Sequence, residues 1–194
     1  MGKALSDLLA RRRPNRADAR RNFDALLAAA AEAFTELGAE VPLEEIARRA
    51  GVGIATLYRN FPTREDLMEC VYVTSVEELC RHAERLAEDD PWPALVAWLR
   101  RFVVYLGTKH VLRAVLSRES EVFQPCRDAL YGVAGPLLER AQRAHAARTD
   151  VDIDDILRLV FGVTGGIYRD GEQRERVIRI VVDGLRAPAP DSRV

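Results

Sequence analysis

Features that mark several common protein classes are scarce in this sequence of 194 residues. Its three cysteines, Cys70, Cys80 and Cys126, are widely spaced and form no C-x-x-C pair. This spacing predicts buried free thiols, with a redox switch as the alternative, and not a disulfide framework. No apolar run approaches the ~20 residues of a membrane span, and the Arg-rich N-terminus lacks the apolar core of a signal peptide. We therefore expect a cytoplasmic protein with no membrane partner.

Sequence patterns of metal and catalytic sites are also missing. The histidines His82, His110 and His145 are dispersed, with no His-Glu-x-x-His or Glu-x-x-His run, which argues against a zinc protease or a di-iron bundle. Gly51-x-Gly53 is half of a nucleotide-binding fingerprint, but the segment before it is predicted to be a helix where the fingerprint needs a strand. There is no P-loop or serine nucleophile elbow. We predict no metal, no cofactor and no enzymatic activity.

The most informative segment is residues 43–61, LEEIARRAGVGIATLYRNF. Its apolar positions predict two short helices, separated by a tight turn at Gly51. This is the helix-turn-helix pattern, whose second helix enters the major groove of DNA; a plain αα-corner is the structural alternative. Placing Leu57 inward turns Ala55 and Arg59 outward, because successive helical residues are about 100° apart.

The residues that follow the turn favour DNA over the plain corner. The Tyr58 hydroxyl, the Asn60 amide and the Arg64 guanidinium all suit phosphate oxygens. Base-edge contacts would come from the outward face of the same helix. The predicted DNA-binding residues are Ile54, Ala55, Thr56, Tyr58, Arg59, Asn60 and Arg64, with Ile54, Ala55 and Arg59 nearest the bases.

Apolar spacing along the rest of the chain is helical throughout, which predicts an all-α protein. Asp18 is the expected N-cap of the first helix, Gly38 its C-cap, and Thr63 with Asp66 the expected capping box of the fourth. The first helix should bury one apolar face, formed by Phe23, Leu26, Leu27, Ala30, Phe34 and Leu37. The remaining helices are predicted to span about 42–50, 54–61, 64–87, 91–109, 109–117, 121–147, 152–168 and 172–186. The predicted organisation is a flexible basic arm (1–17), a three-helix DNA-binding domain (18–66), a second helical domain (67–187) and a disordered tail (188–194).

Charge is unevenly distributed, although the formal net charge is only −1. Through Arg21 the chain carries seven basic residues and two acidic ones. Beside a helix-turn-helix, such an arm either reaches phosphates or the minor groove or is a solvated tail.

The C-terminal half is rich in apolar and aromatic side chains at helical spacing. The last two predicted helices are apolar on more than one face, so they must bury a second side against another partner or against their own domain. Aromatic stripes are more often core than pocket, but they could also line a cavity for a small molecule. Our candidates for contact with such an effector are Trp98, Phe102 and Tyr105.

Residues 25–71 resemble the DNA-binding domain of the TetR family of transcriptional regulators. The motif here is Ala50-Gly51-Val52, Thr56-Leu57-Tyr58, Phe61 and Arg64, with Ala55 where glycine is common, Asn60 where histidine is common and Gly53 in place of a serine cap. The C-terminal half shows a weaker resemblance to one subgroup of the same family, in the stretches WLRRFVVYLGTK and ILRLVFGVTGG.

The resemblance implies phosphate contacts from Tyr58, Asn60 and Arg64, an effector pocket in the second domain and a homodimer formed by the last two long helices. It implies a ligand-responsive regulator, most simply a repressor that a small molecule releases from a palindromic operator. The alternative is an all-α small-molecule-binding or interaction module whose DNA binding is weak or vestigial.

Overall fold

The structure, a computed structural model, describes Leu5, Leu9, Ala10 and residues 12–113 and 121–187, with the main chain alone for residues 108–113. The described part is built from helices and contains no strand, which confirms the all-α prediction. The helices are α1 (Ala17–Leu37), α2 (Leu43–Arg49), α3 (Ile54–Asn60), α4 (Arg64–Arg85), α5 (Pro91–Arg113), α6 (Phe123–Arg143), α7 (Ile153–Thr164) and α8 (Gly171–Gly184).

The chain divides into two compact units, each made of two stretches of sequence. The first combines Met1–Glu78 with Gly107–Ala129, and the second combines Leu79–Leu106 with Leu130–Val194. The sequence-based domains were continuous, whereas these units interleave along the chain, since α4, α5 and α6 each contribute to both.

The first unit contains a three-helix cluster in which α1, α2 and α3 contact one another. Its centre is aromatic: the rings of Phe23 and Phe61 lie 4.9 Å apart between centroids. Ile46 and Leu57, from α2 and α3, are fully buried beside them. Each such side chain stabilises the fold by about 1.5–3 kcal/mol through loss of water contact. This cluster therefore sets how α3 is presented to solvent.

Two details of α1 differ from the prediction. The helix begins at Ala17 with Arg16 at the N-cap position, so Asp18 lies in the first turn and does not cap. A carboxylate there is still favourable because it faces the positive end of the helix dipole. Leu37 was expected inside but is 56% exposed, because the helix ends at this residue and Gly38, at φ 86°, redirects the chain.

The N-terminal arm, which the sequence predicts to be flexible, has helical residues where the structure describes it. Leu5 and Leu9 are helical and buried. The main-chain amides of Arg12 and Arg13 donate to the carbonyl of Leu9 at 3.0 and 2.8 Å. The leucine spacing of four residues gives this segment an apolar stripe to bury, a signal that the run of arginines masks.

In the second unit, polar side chains from α6 close the ends of other elements. Arg140 donates to the carbonyls of Leu86 and Asp89, at 3.1 and 2.6 Å, just after α4 ends. These bonds satisfy acceptors that helix termini otherwise leave to water. In the same unit, Ala147 and Arg186 form an isolated antiparallel bridge.

Several helix bounds differ from the sequence-based ones. The fifth helix continues through Gly107 and Lys109 to Arg113, so residues 109–113 do not start a separate short helix, and 114–120 lie outside the described residues. The penultimate helix ends earlier, at Thr164, and is capped by a box formed by Asp152 and Asp155. The predicted tail, 188–194, lies outside the described residues.

Candidate DNA-binding site

The turn between α2 and α3 is a complete Schellman motif, as the glycine in the sequence predicts. The amide of Val52 donates to the carbonyl of Ala47 at 3.0 Å, and the amide of Gly51 donates to that of Arg48 at 3.1 Å. Gly51 has φ 68°, in the left-handed region. A Cβ there would meet no atom within 4 Å, so it is the backbone conformation that requires glycine.

The α3 helix presents its polar side to solvent because one residue anchors the other side. Leu57 is fully buried. Ala55, Tyr58 and Arg59 are exposed, with Tyr58 exposed to 47%. The remaining predicted residues of this helix, Ile54, Thr56 and Asn60, are half-buried at its edges. The sequence-predicted candidates on α3 therefore share one accessible surface.

Two of these side chains are already bonded within the helix. The Nη2 of Arg59 donates to the hydroxyl of Thr56 at 2.8 Å. The Nδ2 of Asn60 donates to the main-chain carbonyl of Thr56, also at 2.8 Å. Thr56 thus connects two residues that were predicted to contact DNA.

The side-chain hydrogen bonds of Arg64 are made to the segment before α2 and not to α3. Its Nη1 donates to the carbonyls of Ala39 and Val41, each at 2.8 Å. The guanidinium holds the turn that leads into α2, a contact across more than 20 residues that periodicity could not indicate. Its predicted phosphate contact stays a prediction, and Arg64 has a structural task besides.

The start of α4 has the predicted capping box and one partner that the sequence did not suggest. The Oδ2 of Asp66 accepts from the amide and the hydroxyl of Thr63, at 3.1 and 2.7 Å. Arg12 pairs with Asp66 at 2.6 Å and with Glu69 at 3.3 Å. Burial opposes ionisation of Asp66, but the Thr63 bonds and the Arg12 charge outweigh it and lower the pKa of Asp66. Arg12 therefore belongs to the start of α4 and is not a free arm cation.

Acidic side chains also neutralise the arginines of α2. Glu45 accepts from Arg48 at 2.7 Å and from Arg49 at 2.9 Å. Arg49 reaches Glu36 on α1 at 2.7 Å as well. The hydrogen bond from Arg48, followed by that from Arg49, lowers the pKa of Glu45 to about 2. The charge of both arginines is therefore largely committed within the protein.

The three candidate effector contacts form one aromatic row on α5. Trp98, Phe102 and Tyr105 are buried, and the ring centroids are 5.4 Å apart for the first pair and 5.7 Å for the second. The Nε1 of Trp98 donates to the carbonyl of Leu79 at 3.2 Å. The structure thus brings the three predicted residues together, as a stacked core.

An apolar groove lies on a different side of α5 from this row. It is lined by residues of α5, α7 and α8: Leu99, Val103, Val160, Val163, Ile178, Val181 and Val182.

Other classes of site find no support in the part of the chain that the structure describes. Cys70, Cys80 and Cys126 are buried and form no disulfide in the described part of the chain, as predicted. Burial raises the pKa of Cys70 to about 11, despite the nearby Arg12. Residues 12–107 and 121–187 hold no cluster of three or more potential metal ligands. No helix among the described residues combines the length and apolar character needed to cross a membrane.

The arrangement of α1, α2 and α3, with a glycine turn and an exposed final helix, is that of helix-turn-helix DNA-binding proteins. Residues 26–71 match the family described as "Bacterial regulatory proteins, tetR family". Residues 90–187 match "Transcriptional regulator SbtR-like, C-terminal domain". The chain belongs to the TetR family of transcriptional regulators.

Solved structures agree with this assignment. The chain is 39% identical to the TetR transcriptional regulator SCO0520 from Streptomyces coelicolor over 86% of its own length and 99% of that chain, with a TM-score of 0.74. It is 36% identical to a TetR transcription regulatory protein from Mycobacterium vanbaalenii, over 89% and 99% of the two chains, with a TM-score of 0.71. The regulator PfmR from Thermus thermophilus, at 24% identity, 85% and 96% coverage and a TM-score of 0.58, shares the fold.

Proposed function

We propose that this regulator is a homodimeric repressor that binds a palindromic operator and leaves it when a small molecule binds its C-terminal helices. The observation that carries the proposal is the exposed face of α3, held outward by buried Leu57 and by the Gly51 turn. A dimer would place two such helices about one turn of DNA apart, ~34–36 Å, or a multiple of it.

On this proposal the residues of the site divide by what they touch. Tyr58, Asn60 and Arg64 face phosphate oxygens, which set the register but not the sequence. Ile54, Ala55 and Arg59 lie nearest the base edges. Thr56 lies on α3 between the residues that face phosphates and those that face bases.

Dimerisation is proposed through α7 and α8. These helices contact each other, yet Leu159 on α7 and Ile180 on α8 remain 47% and 69% exposed. Exposed apolar side chains of this kind gain favourable free energy when a second apolar surface removes them from water. Light scattering should give twice the 21.7 kDa chain mass.

A charge placed in this surface tests the interface. Ile180→Arg should shift the protein toward monomer and weaken operator binding, because two joined half-site contacts bind far more tightly than one. Val104→Arg is the matched control: Val104 is also an exposed β-branched residue, at 61% against 69% for Ile180, but it lies on α5. Equal behaviour of the two variants would contradict the proposed interface.

The effector is proposed to contact the aromatic row on α5 by displacing side chains around it, because the three rings are buried and stacked on one another in this structure. Trp92 and Trp98 are the two tryptophans of the chain, so a Trp92→Phe variant reports on Trp98 alone. A compound that reaches the row should change the fluorescence of this variant at the concentrations that release DNA. Linkage then requires operator DNA to weaken binding of that compound by the same factor. A compound that binds equally with and without operator would contradict the release mechanism.

The decisive experiment is a gel shift and footprint with the DNA that flanks the gene of this protein. A protected palindrome supports the repressor proposal and supplies an assay for effectors. Binding no tighter than to random duplex, at a stated salt concentration, would favour the interaction module with vestigial DNA binding.

A further inference from the structure

Among the arginines of the helix-turn-helix, Arg59 differs in its surroundings. Arg48 and Arg49 pair with Glu45, and Arg64 donates to two main-chain carbonyls. Arg59 is exposed, and no carboxylate pairs with it in the described part of the chain; the partner observed for it is the neutral Thr56 hydroxyl. Its charge is therefore not offset locally, while those of Arg48 and Arg49 are.

The main chain of Thr56, which carries this hydroxyl, is hydrogen-bonded on both sides. The amide of Thr56 donates to the carbonyl of Gly53 at 2.8 Å, and its own carbonyl accepts from Asn60. A β-branched threonine has few side-chain rotamers in a helix, and positions three apart are neighbours on the helix surface. Thr56 thus offers Arg59 a pre-positioned acceptor.

A bond to Thr56 leaves Arg59 able to bind a base. A guanidinium has five N–H donors, and the hydroxyl uses one. Contact with the O6 and N7 of guanine needs two. Arginine is a long side chain with much rotamer freedom, so a restraint applied before binding lowers the entropy lost on binding. Ala55, one turn earlier on the exposed side, is too small to obstruct the guanidinium.

We propose that Thr56 is a positioning residue that orients Arg59 to read one guanine in each operator half-site. The inference rests on the proposed DNA-binding function. It predicts that the Thr56 hydroxyl acts on base discrimination through Arg59, and not through a phosphate contact of its own.

The test begins by selecting 30-bp duplexes from a random pool with the native dimer. A palindromic motif with a guanine in each half is expected. The measured quantity is the discrimination ratio, the affinity for the selected duplex divided by that for the duplex with the guanine replaced. Arg59→Ala should lower this ratio by about 5- to 150-fold. Thr56→Val, which keeps the shape but removes the hydroxyl, should lower it by about 2- to 12-fold.

Controls separate positioning from structure and from phosphate binding. Thr56→Ser keeps the hydroxyl and should restore most of the ratio, while circular dichroism confirms that each variant is folded. Adding Thr56→Val to Arg59→Ala should change the ratio no further. Replacing the guanine by 7-deazaguanine removes the N7 acceptor. This replacement should lower the DNA affinity of the native protein by a larger factor than it lowers the affinity of the Thr56→Val variant.

Each other outcome overturns a definite statement. If Thr56→Val weakens all duplexes equally in both backgrounds, Thr56 acts on a phosphate and the positioning role is wrong. If a motif is selected but Arg59→Ala leaves every discrimination ratio unchanged, Arg59 does not read a base. If no motif is enriched, the proposed DNA-binding function itself fails, and this inference fails with it.

Discussion

Arg64→Ala is the substitution that best separates the structural from the DNA-binding role of this residue. Its Nη1 donates to the carbonyls of Ala39 and Val41, each at 2.8 Å and partly shielded from water. Hydrogen bonds from charged groups contribute about 1.5–3 kcal/mol each. Since one nitrogen serves both carbonyls and water can reach them after substitution, we expect a total loss of about 2–3 kcal/mol.

For a chain of this size that loss corresponds to a fall in Tm of about 4–12 °C. Thermal unfolding should be followed at one fixed protein concentration, because the stability of a dimer depends on concentration. Arg64→Lys keeps the charge but not the planar guanidinium and should lose less. Arg59→Ala, on the exposed face of α3, should stay within about 0.5 kcal/mol of the native protein.

An unchanged Tm for Arg64→Ala would refute the structural role. The phosphate contact makes a separate prediction: affinity for all sequences falls, and the slope of log affinity against log salt becomes shallower by about 0.9. An Arg64→Ala variant with the native Tm and a shallower salt slope would show that Arg64 contacts DNA and does not stabilise the fold. A lower Tm with an unchanged slope would show the reverse.

Two substitutions and one labelling experiment test local features of the fold. His145 has φ 54° just after the end of α6; His145→Gly should raise the free energy of unfolding by about 0.5–1 kcal/mol in urea titrations, because glycine adopts this conformation without the cost to an L side chain. Glu45→Gln should destabilise the protein at pH 7 but not well below pH 2. The pKa of Glu45 falls from 4.5 to about 2, so its stabilisation is complete above pH 4.5 and is lost as pH falls through 2. A thiol reagent at pH 8 should label Cys70, Cys80 and Cys126 only on unfolding, since all three are buried; rapid labelling of the native protein would contradict this.

Local signals in the sequence predicted local structure well. The Gly51 turn, the Gly38 helix end and the capping box of Thr63 and Asp66 all occur as expected. Each of these depends on residues within about four positions, where sequence spacing and backbone geometry correspond directly. The same reasoning placed Leu57 inside and Arg59 outside, because α3 is anchored by a single apolar position.

Contacts between distant residues were not predictable in the same way. Arg12 reaches Asp66 across 54 positions, and neither residue shows a pattern that names the other. A run of arginines indicates solvent or phosphate equally well until the position of the carboxylates is known. The continuation of α5 through Gly107 has a related cause. Glycine costs a helix only about 1 kcal/mol, and burial of the residues before it, such as Phe102 and Leu106, offsets a cost of that size.

The aromatic row on α5 shows why the site of an effector is harder to predict than the site for DNA. Positions 98, 102 and 105 lie on one face of a helix, and that spacing is the same whether the face lines a cavity or fills a core. Here the face is filled by the rings themselves and by the bond from Trp98 to Leu79. The groove on α5 uses Leu99 and Val103 instead, about a quarter turn away. An apolar helix buried on two faces therefore has no single inner side, and which of its faces admits a ligand depends on neighbouring helices that its own sequence does not describe.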